Sequence, residues 1–156
     1  MLKRVAGILT LVLCILVTAC GGGGDSPVPR IGASTISMSE PSVWHAWGSV
    51  YDPNNPNNCP DLYARATFTA TPGPFPEDIK VLAIDVYGPD GSLLWSGPAR
   101  NDSGVKLDGR LYVAAAACGL NSSLQIGQPH TVRFVLQGKG TVIDFVTPPL
   151  TLEWIS

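Results

Sequence analysis

Short apolar runs with a period of two, separated by Gly, Pro, Asn and Asp, most constrain what this chain can fold into. In residues 62–70, Leu, Ala and Phe occupy every second position, and Tyr, Arg and Thr fill the positions between them. Because successive side chains of a strand point to opposite faces, this pattern is typical of a strand buried on one side. The same alternation recurs in residues 82–87, 132–137 and 150–154. With no helical stripe of useful length after Ile31, the sequence predicts an antiparallel all-β domain.

Turn sequences between these runs predict hairpins. Gly88-Pro89-Asp90-Gly91 combines a proline that fixes φ with a glycine that tolerates a left-handed backbone, and it should join residues 81–87 to 92–96. Asp108-Gly109 and Gly138-Lys139-Gly140 predict two more hairpins. The other predicted strands lie near Ile36 and Val105 and at residues 43–51, 62–70, 111–117, 131–137, 141–146 and 150–155. Eight or more strands in a domain of this length predict a two-sheet sandwich.

Four alanines at residues 114–117 favour a helix by intrinsic propensity. Only nine residues separate Gly109 from Gly119, however, which is fewer than an isolated helix needs. We therefore predict a strand here, with small side chains that let large neighbours such as Trp95 or Trp154 pack close.

The first 19 residues are organised like a bacterial export signal. Lys3 and Arg4 precede an uncharged apolar run at residues 5–19, which is shorter than the roughly 20 residues that a helix needs to cross a bilayer. Val17-Thr18-Ala19-Cys20 closes this run and resembles the lipobox of bacterial lipoproteins. A transmembrane anchor is the alternative, but four glycines follow Cys20 where a stop-transfer pattern would need basic residues.

The lipoprotein resemblance implies cleavage before Cys20 and attachment of lipid, including palmitate, to that cysteine. Two or three acyl chains would anchor the protein firmly in the cell envelope. Gly21 stands where an aspartate usually marks inner-membrane retention, so the resemblance implies an outer-membrane location facing the periplasm or the surface. The predicted organisation is a signal peptide at 1–19, a lipidated cysteine with a flexible Gly/Pro tether at 20–30 and a β-sandwich at 31–156.

Cysteine parity agrees with the lipobox. After processing, Cys20, Cys59 and Cys118 remain, and acylation of Cys20 leaves the other two to form a disulfide. Closing a loop of about 60 residues would stabilise the fold by roughly 4 kcal/mol through lost chain entropy. The alternative for this pair is a zinc site completed by His45 and His130. It lacks the short local ligand spacing of structural zinc motifs, so we expect no metal.

Composition and motifs exclude several function classes. Removing Lys3 and Arg4 with the signal leaves 8 basic and 12 acidic residues, a net charge near −4 without a basic cluster, so we expect no nucleic-acid partner. His45 and His130 are the chain's two imidazole bases, and the sequence contains no Gly-x-Ser-x-Gly, His-Glu-x-x-His or Gly-rich phosphate loop. We therefore predict a protein that is not an enzyme, with no catalytic residue and no cofactor.

Trp44, His45, Trp47 and Tyr51 form the densest aromatic group of the chain. On a strand, Trp44 would point one way and the other three the opposite way. Exposed rings could stack on sugar rings or on a partner protein, so Trp44, Trp47 and Tyr51 are the candidate ligand-binding residues. The favoured alternative is that these rings fill the core, as tryptophans usually do in small sandwiches. The Asn/Pro-rich residues 52–61 offer oxygen ligands for calcium, but they lack EF-hand spacing and are better explained as a rigid loop.

Two stretches resemble bacterial immunoglobulin-like or fibronectin III-like modules. Trp47-Gly48-Ser49-Val50-Tyr51-Asp52 is similar to the early strand of such modules, and residues 84–91 are similar to their central hairpin. The resemblance implies an immunoglobulin-like sandwich, although the antibody-type Cys-Trp-Cys arrangement is absent. Together these features predict a lipid-anchored, non-enzymatic interaction or structural module of the envelope, with a protein or glycan partner. The alternative is a lipoprotein that binds carbohydrate or another ligand through exposed aromatics.

Overall fold

The computed structural model describes residues 28–46, 62–118, 120 and 124–155. As the alternation predicts, the regular elements within these ranges are β-strands, and eleven are defined there. They are β1 Arg30–Ile31, β2 Ser34–Ala46, β3 Leu62–Thr71, β4 Lys80–Tyr87, β5 Leu93–Gly97, β6 Gly104–Val105, β7 Leu111–Ala117, β8 Pro129–Gly138, β9 Thr141–Val146, β10 Leu150–Thr151 and β11 Glu153–Ile155. Across the same ranges, no helix has the length and apolar character needed to cross a bilayer.

The strands form two sheets. Sheet I has the order β1-β2-β3-β7-β6, and β11 also pairs with β2. Sheet II has the order β10-β8-β4-β5, and β9 also pairs with β8. Neighbouring strands are antiparallel except for the parallel pair of β11 and β2. The predicted all-β, two-sheet antiparallel architecture is therefore confirmed.

The hydrophobic core lies between the two sheets and is centred on three phenylalanines. The ring of Phe68 on β3 meets the rings of Phe134 on β8 and Phe145 on β9 edge to face, with centroids 5.6 and 5.1 Å apart. Phe68 and Phe134 are fully buried. Burial of such side chains contributes about 1.5–3 kcal/mol each, so the inward positions of β3 and β8 hold the sheets together.

The predicted hairpins are present. In the turn between β4 and β5, the Gly91 amide donates to the carbonyl of Gly88 at 3.0 Å, and Gly91 has φ +79°. Gly109 between β6 and β7 and Gly140 between β8 and β9 have the same left-handed backbone, with φ of +77° and +73°. Glycine adopts this conformation without the strain of a Cβ, which is why these short sequences define the turns.

Two strand predictions are wrong in detail. The alternation at residues 82–87 places Leu82 on the apolar face with Ile84 and Val86. Leu82 is instead 45% exposed, because the β4–β8 register shifts between Val81 and Ala83. The predicted single strand at residues 150–155 is divided between the sheets, with β10 on β8 and β11 on β2. Leu152, fully buried, marks the crossing, and its backbone exchanges hydrogen bonds with Gly127 and Gln128. This crossing links the two sheets at one edge of the sandwich.

Residues 114–117 form part of β7, so the prediction of a strand is confirmed. Ala115 and Ala117 are buried in the core, whereas Ala114 and Ala116 lie half-buried on the outer face of sheet I. The C-terminal half of β7 therefore presents only small side chains on the outer face of sheet I.

Candidate functional site

The outer face of sheet I carries a stacked pair of aromatic rings. Val43 and His45 of β2 point into the core, so Trp44 between them points outward. On β3 the same alternation places Tyr63 outward, directly opposite Trp44 in the strand register. The two ring centroids are 5.3 Å apart with an angle of 8° between the planes, and both side chains are half-buried.

Two arginines flank this pair. The Arg65 guanidinium carbon lies 5.2 Å from the Trp44 ring centroid, and that of Arg100 lies 5.9 Å from the centroid of Tyr63. Both distances are within the range of cation–π attraction, about 6 Å. We call these four side chains, Trp44, Tyr63, Arg65 and Arg100, the aromatic platform.

The small outward side chains of β7 allow Arg100 to reach the platform. Arg100 follows β5, and its amide donates to the carbonyl of Ala114 at the edge of sheet I. Ala116 is paired with Tyr63 and lies between Arg100 and that ring in the strand order. To reach Tyr63 from that edge, the Arg100 side chain has to cross the outer face of β7, where the outward residues Ala114 and Ala116 are small.

Two grooves border Arg65. The larger groove has a volume of about 520 Å³ and the smaller about 240 Å³. The larger groove is lined mainly by polar side chains, among them Glu40, Arg65, Thr67, Asp102, Ser103, Lys106 and Tyr112. The smaller groove is lined by Ser42, Val43, Trp44, Arg65 and Glu153. Arg65 therefore stands between a groove rich in hydrogen-bonding groups and one bounded by the Trp44 ring.

A strained residue places an acid at the larger groove. The β2–β3 register shifts between Ser39 and Ser42, and within this bulge Glu40 has φ +50°. A left-handed backbone at a non-glycine residue is unfavourable by about 1–2 kcal/mol. Bulges commonly redirect a side chain, and here the Glu40 carboxylate accepts a 3.3 Å hydrogen bond from the Thr67 hydroxyl on the outer face. The strained residue therefore places a carboxylate in the lining of the larger groove.

Tyr112, at the other side of the larger groove, already uses its hydroxyl. It donates to Asp108 Oδ2 at 2.9 Å, which raises the pKa of Tyr112. The pKa of Asp108 is lowered, chiefly by the backbone amide of Arg110 and also by the Tyr112 hydroxyl. Tyr112 therefore offers the groove its ring, and its hydroxyl is held by the hairpin.

Of the predicted binding residues, Trp44 lies in the platform, whereas Trp47 and Tyr51 lie outside the described residues. Tyr63 was missed, although it stands on the polar face of the alternating run at 62–70 as an aromatic among Arg and Thr. That position was the available signal, because a ring on the polar side of a one-sided strand is directed away from the core.

The other predicted residues are dispersed. Cys118 is exposed directly after β7, while Cys20 and Cys59 lie outside the described residues, so lipidation and the disulfide stay predictions. His45 is buried in sheet I, and His130 is fully buried in sheet II with Nδ1 3.0 Å from the carbonyl of Gln128. Within the described ranges, no three His, Cys, Asp or Glu side chains converge as a metal site.

No protein-family model matches this sequence, and no curated protein matches it. Function is therefore inferred from the chemistry of the platform and its grooves.

Proposed function

We propose that this chain is a lipid-anchored, non-enzymatic binding protein of the bacterial cell envelope, and that the outer face of sheet I binds carbohydrate. The observation that carries this proposal is the half-buried Trp44–Tyr63 stack between two arginines on the outer face of sheet I. Trp44, Tyr63 and Arg65 lie on paired strands, which preorganises this part of the binding surface.

The chemistry of the face suits a sugar chain. A pyranose ring presents C–H groups on its faces, which pack on aromatic rings, and hydroxyls at its edge, which need donors and acceptors. Trp44 and Tyr63 stack on each other and each lies under a guanidinium, so the parts of the two rings that remain exposed supply the apolar contact. The larger groove beside them supplies carboxylate, hydroxyl, guanidinium and ammonium groups. Both kinds of contact lie within one continuous region around Arg65.

The predicted anchor limits where the ligand can be. Residues 20–30 span at most about 40 Å when fully extended, so the sandwich would stay close to its bilayer. The predicted lipid on Cys20 would place it at the outer membrane. An envelope glycan is the ligand class that such a tether brings within reach.

The strand order supports the immunoglobulin-like assignment. Strands β2, β3, β7 and β6 lie side by side in sheet I, as strands A, B, E and D do in immunoglobulin-like sandwiches. In sheet II, β4 and β8 are neighbours, with β5 and β9 outside them, which corresponds to strands C and F with C′ and G. A binding role for this chain is compatible with that scaffold, since such sandwiches host many functions.

A partner protein is the second candidate ligand for the same face. Tryptophan, tyrosine and arginine are the residue types most enriched in the energetic centres of protein interfaces, and the platform consists of these three types. Crosslinking in intact envelopes through the outer face of sheet I tests this candidate. Recovery of one specific protein, with no affinity for any glycan, would replace carbohydrate by protein in the proposal.

The carbohydrate proposal is tested with the full-length chain in detergent against a broad glycan panel. We expect at least one glycan to bind, and we expect Tyr63→Ala to weaken its binding about tenfold or more, because stacking contacts contribute about 1–3 kcal/mol. Tyr87→Ala removes a half-buried tyrosine from sheet II and is the matched control, expected to leave binding unchanged. Absence of binding across the panel, or equal losses in the two variants, would contradict the proposal.

The anchor has a separate test. Cys20→Ser should abolish incorporation of labelled palmitate and leave a slower-migrating precursor. A Cys20→Ser protein that still carries lipid would contradict the predicted lipidation.

A further inference from the structure

Arg65 has unused hydrogen-bonding capacity in an otherwise ordered position. Its Nε donates to the Ser42 hydroxyl at 3.0 Å, and its guanidinium lies over the Trp44 ring. These contacts orient the planar group, and neither uses the two terminal nitrogens. A guanidinium fixed by its inner edge presents those nitrogens as a parallel pair of donors.

The charge of Arg65 is also unneutralised in the part of the chain that the structure describes. Ion pairs there join Arg100 to Asp102, Arg110 to Asp108, and Arg133 to both Asp85 and Asp144, and none includes Arg65. Arg100, Arg110 and Arg133 therefore obtain a carboxylate from their own chain. Arg65 stands exposed between the two grooves without one.

We propose that the glycan bound by this face is acidic, and that the carboxylate of a sugar acid pairs with the terminal nitrogens of Arg65. This inference rests on the proposed carbohydrate function. The two oxygens of a carboxylate match the two terminal N–H groups of a guanidinium, and such paired, charge-assisted bonds are about twice as strong as neutral ones. A neighbouring sugar ring then packs against the exposed edges of the Trp44 and Tyr63 rings, and the chain continues into the larger groove.

Two glutamates of the outer face limit where a carboxylate of the glycan can bind. Glu153 lines the smaller groove and Glu40 the larger one, on either side of Arg65. Carboxylates placed beside these glutamates would be repelled, since like charges at close range disfavour each other. The face therefore favours a glycan in which acidic sugars alternate with neutral ones over a chain of acidic sugars alone.

The experiment compares two hexasaccharides by calorimetry with the full-length chain in detergent. One alternates glucuronic acid with N-acetylglucosamine, and the other is the same molecule with its carboxylates reduced to hydroxymethyl groups. We expect the acidic probe to bind about tenfold or more tightly, the range for hydrogen bonds to charged groups. The preference should shrink as salt is raised, because Arg65 is exposed.

Variants at Arg65 locate the preference. Arg65→Gln should make the two probes bind equally, and Arg65→Lys should keep only part of the preference, because an ammonium is a point charge without the paired geometry. Arg110→Gln removes an equal charge from an exposed arginine on the β6–β7 hairpin and should keep the full preference. Thermal unfolding of each variant verifies that it is folded.

The outcomes separate the two proposals. If both probes bind equally well and Trp44→Ala weakens both, the carbohydrate function stands and the role of Arg65 is overturned. If neither probe nor any other glycan binds, both proposals fail. If a poly-glutamate peptide competes as strongly as the acidic hexasaccharide, Arg65 recognises charge alone, and the inference of a sugar acid is overturned.

Discussion

The outer faces of the two sheets use their polar groups in opposite ways. On sheet II, Arg133 of β8 donates to Asp85 of β4 at 3.0 Å and to Asp144 of β9 at 2.6 Å, and Ser96 of β5 donates to the other oxygen of Asp85. This network crosses four neighbouring strands and joins its charges to one another. The outer face of sheet I carries the aromatic platform instead. There, among the described residues, Arg65 donates a hydrogen bond only through Nε, and the two grooves beside it are open.

The contrast separates polar groups that hold strands together from polar groups that are left for a ligand. Hydrogen bonds that Arg133 donates to Asp144 and Asp85 raise its pKa, so this guanidinium is held in its charged form. Asp85, only 6% exposed, has its charge compensated by that contact. The charged groups of the network on sheet II already bond to one another, so they have little to gain from a ligand. Arg65 is preorganised and has free donors among the described residues, so it can form new hydrogen bonds to a ligand.

The largest expected effect tests whether sheet II is the structural face. Asp85→Ala removes a buried acceptor from Arg133 and Ser96, and we expect the free energy of unfolding to fall by about 1–3 kcal/mol. Arg65→Gln on sheet I should change it by less than about 0.5 kcal/mol, as is usual for exposed sites. Urea denaturation of both variants measures the difference. If Arg65→Gln proved as destabilising as Asp85→Ala, the distinction between the two faces would be lost.

The next effect concerns how the platform is assembled. Ala116→Leu places a branched side chain where Arg100 crosses β7 toward Tyr63, and we expect glycan affinity to fall about tenfold, or 1.4 kcal/mol, with little change in stability. Ser37→Leu adds the same bulk elsewhere on the outer face of sheet I and serves as the control. Titration of both variants with the bound glycan gives the comparison. Equal affinities for wild type and Ala116→Leu would mean that Arg100 does not shape the site.

The smallest expected effect on glycan affinity comes from a polar group of the larger groove that is already hydrogen-bonded within the protein. Because the Tyr112 hydroxyl is held by Asp108, Tyr112→Phe should leave glycan affinity unchanged and should move the lowered pKa of Asp108 upward toward its usual value. A lowered carboxyl pKa stabilises the fold above the unfolded-state value, near about pH 4, and that stabilisation is lost as pH falls through the folded-state value. Tyr112→Phe should therefore be slightly less stable than wild type above the pH range in which Asp108 titrates. Below that range the two proteins should be equally stable.

NMR titration of the Asp108 carboxyl measures the shift directly. A clear loss of glycan affinity in Tyr112→Phe would instead show that the hydroxyl leaves Asp108 to bind the ligand.

Part of the site could be predicted from sequence. The alternation around Trp44 and within residues 62–70 indicates which side chains share a face, and it places Tyr63 and Arg65 on the polar side of β3. The pairing of Trp44 with Tyr63 could not be predicted, because it depends on the β2–β3 register, which shifts at the bulge beside Glu40. Leu82 was misplaced for the same reason, since one bulge in β4 reverses the face of the residue within it.

By itself the sequence determined the local features of this protein: strands from period-two alternation, hairpins from Gly and Asp turns, and a predicted lipid anchor from the first twenty residues. The strands and hairpins follow from backbone sterics and from the burial of apolar side chains, and the predicted anchor rests on the resemblance of residues 17–20 to a lipobox. The tertiary structure decided the rest. Leu152 takes the chain from sheet II to sheet I, and Arg100 reaches Tyr63 across β7, because packing and register between distant segments set which groups meet.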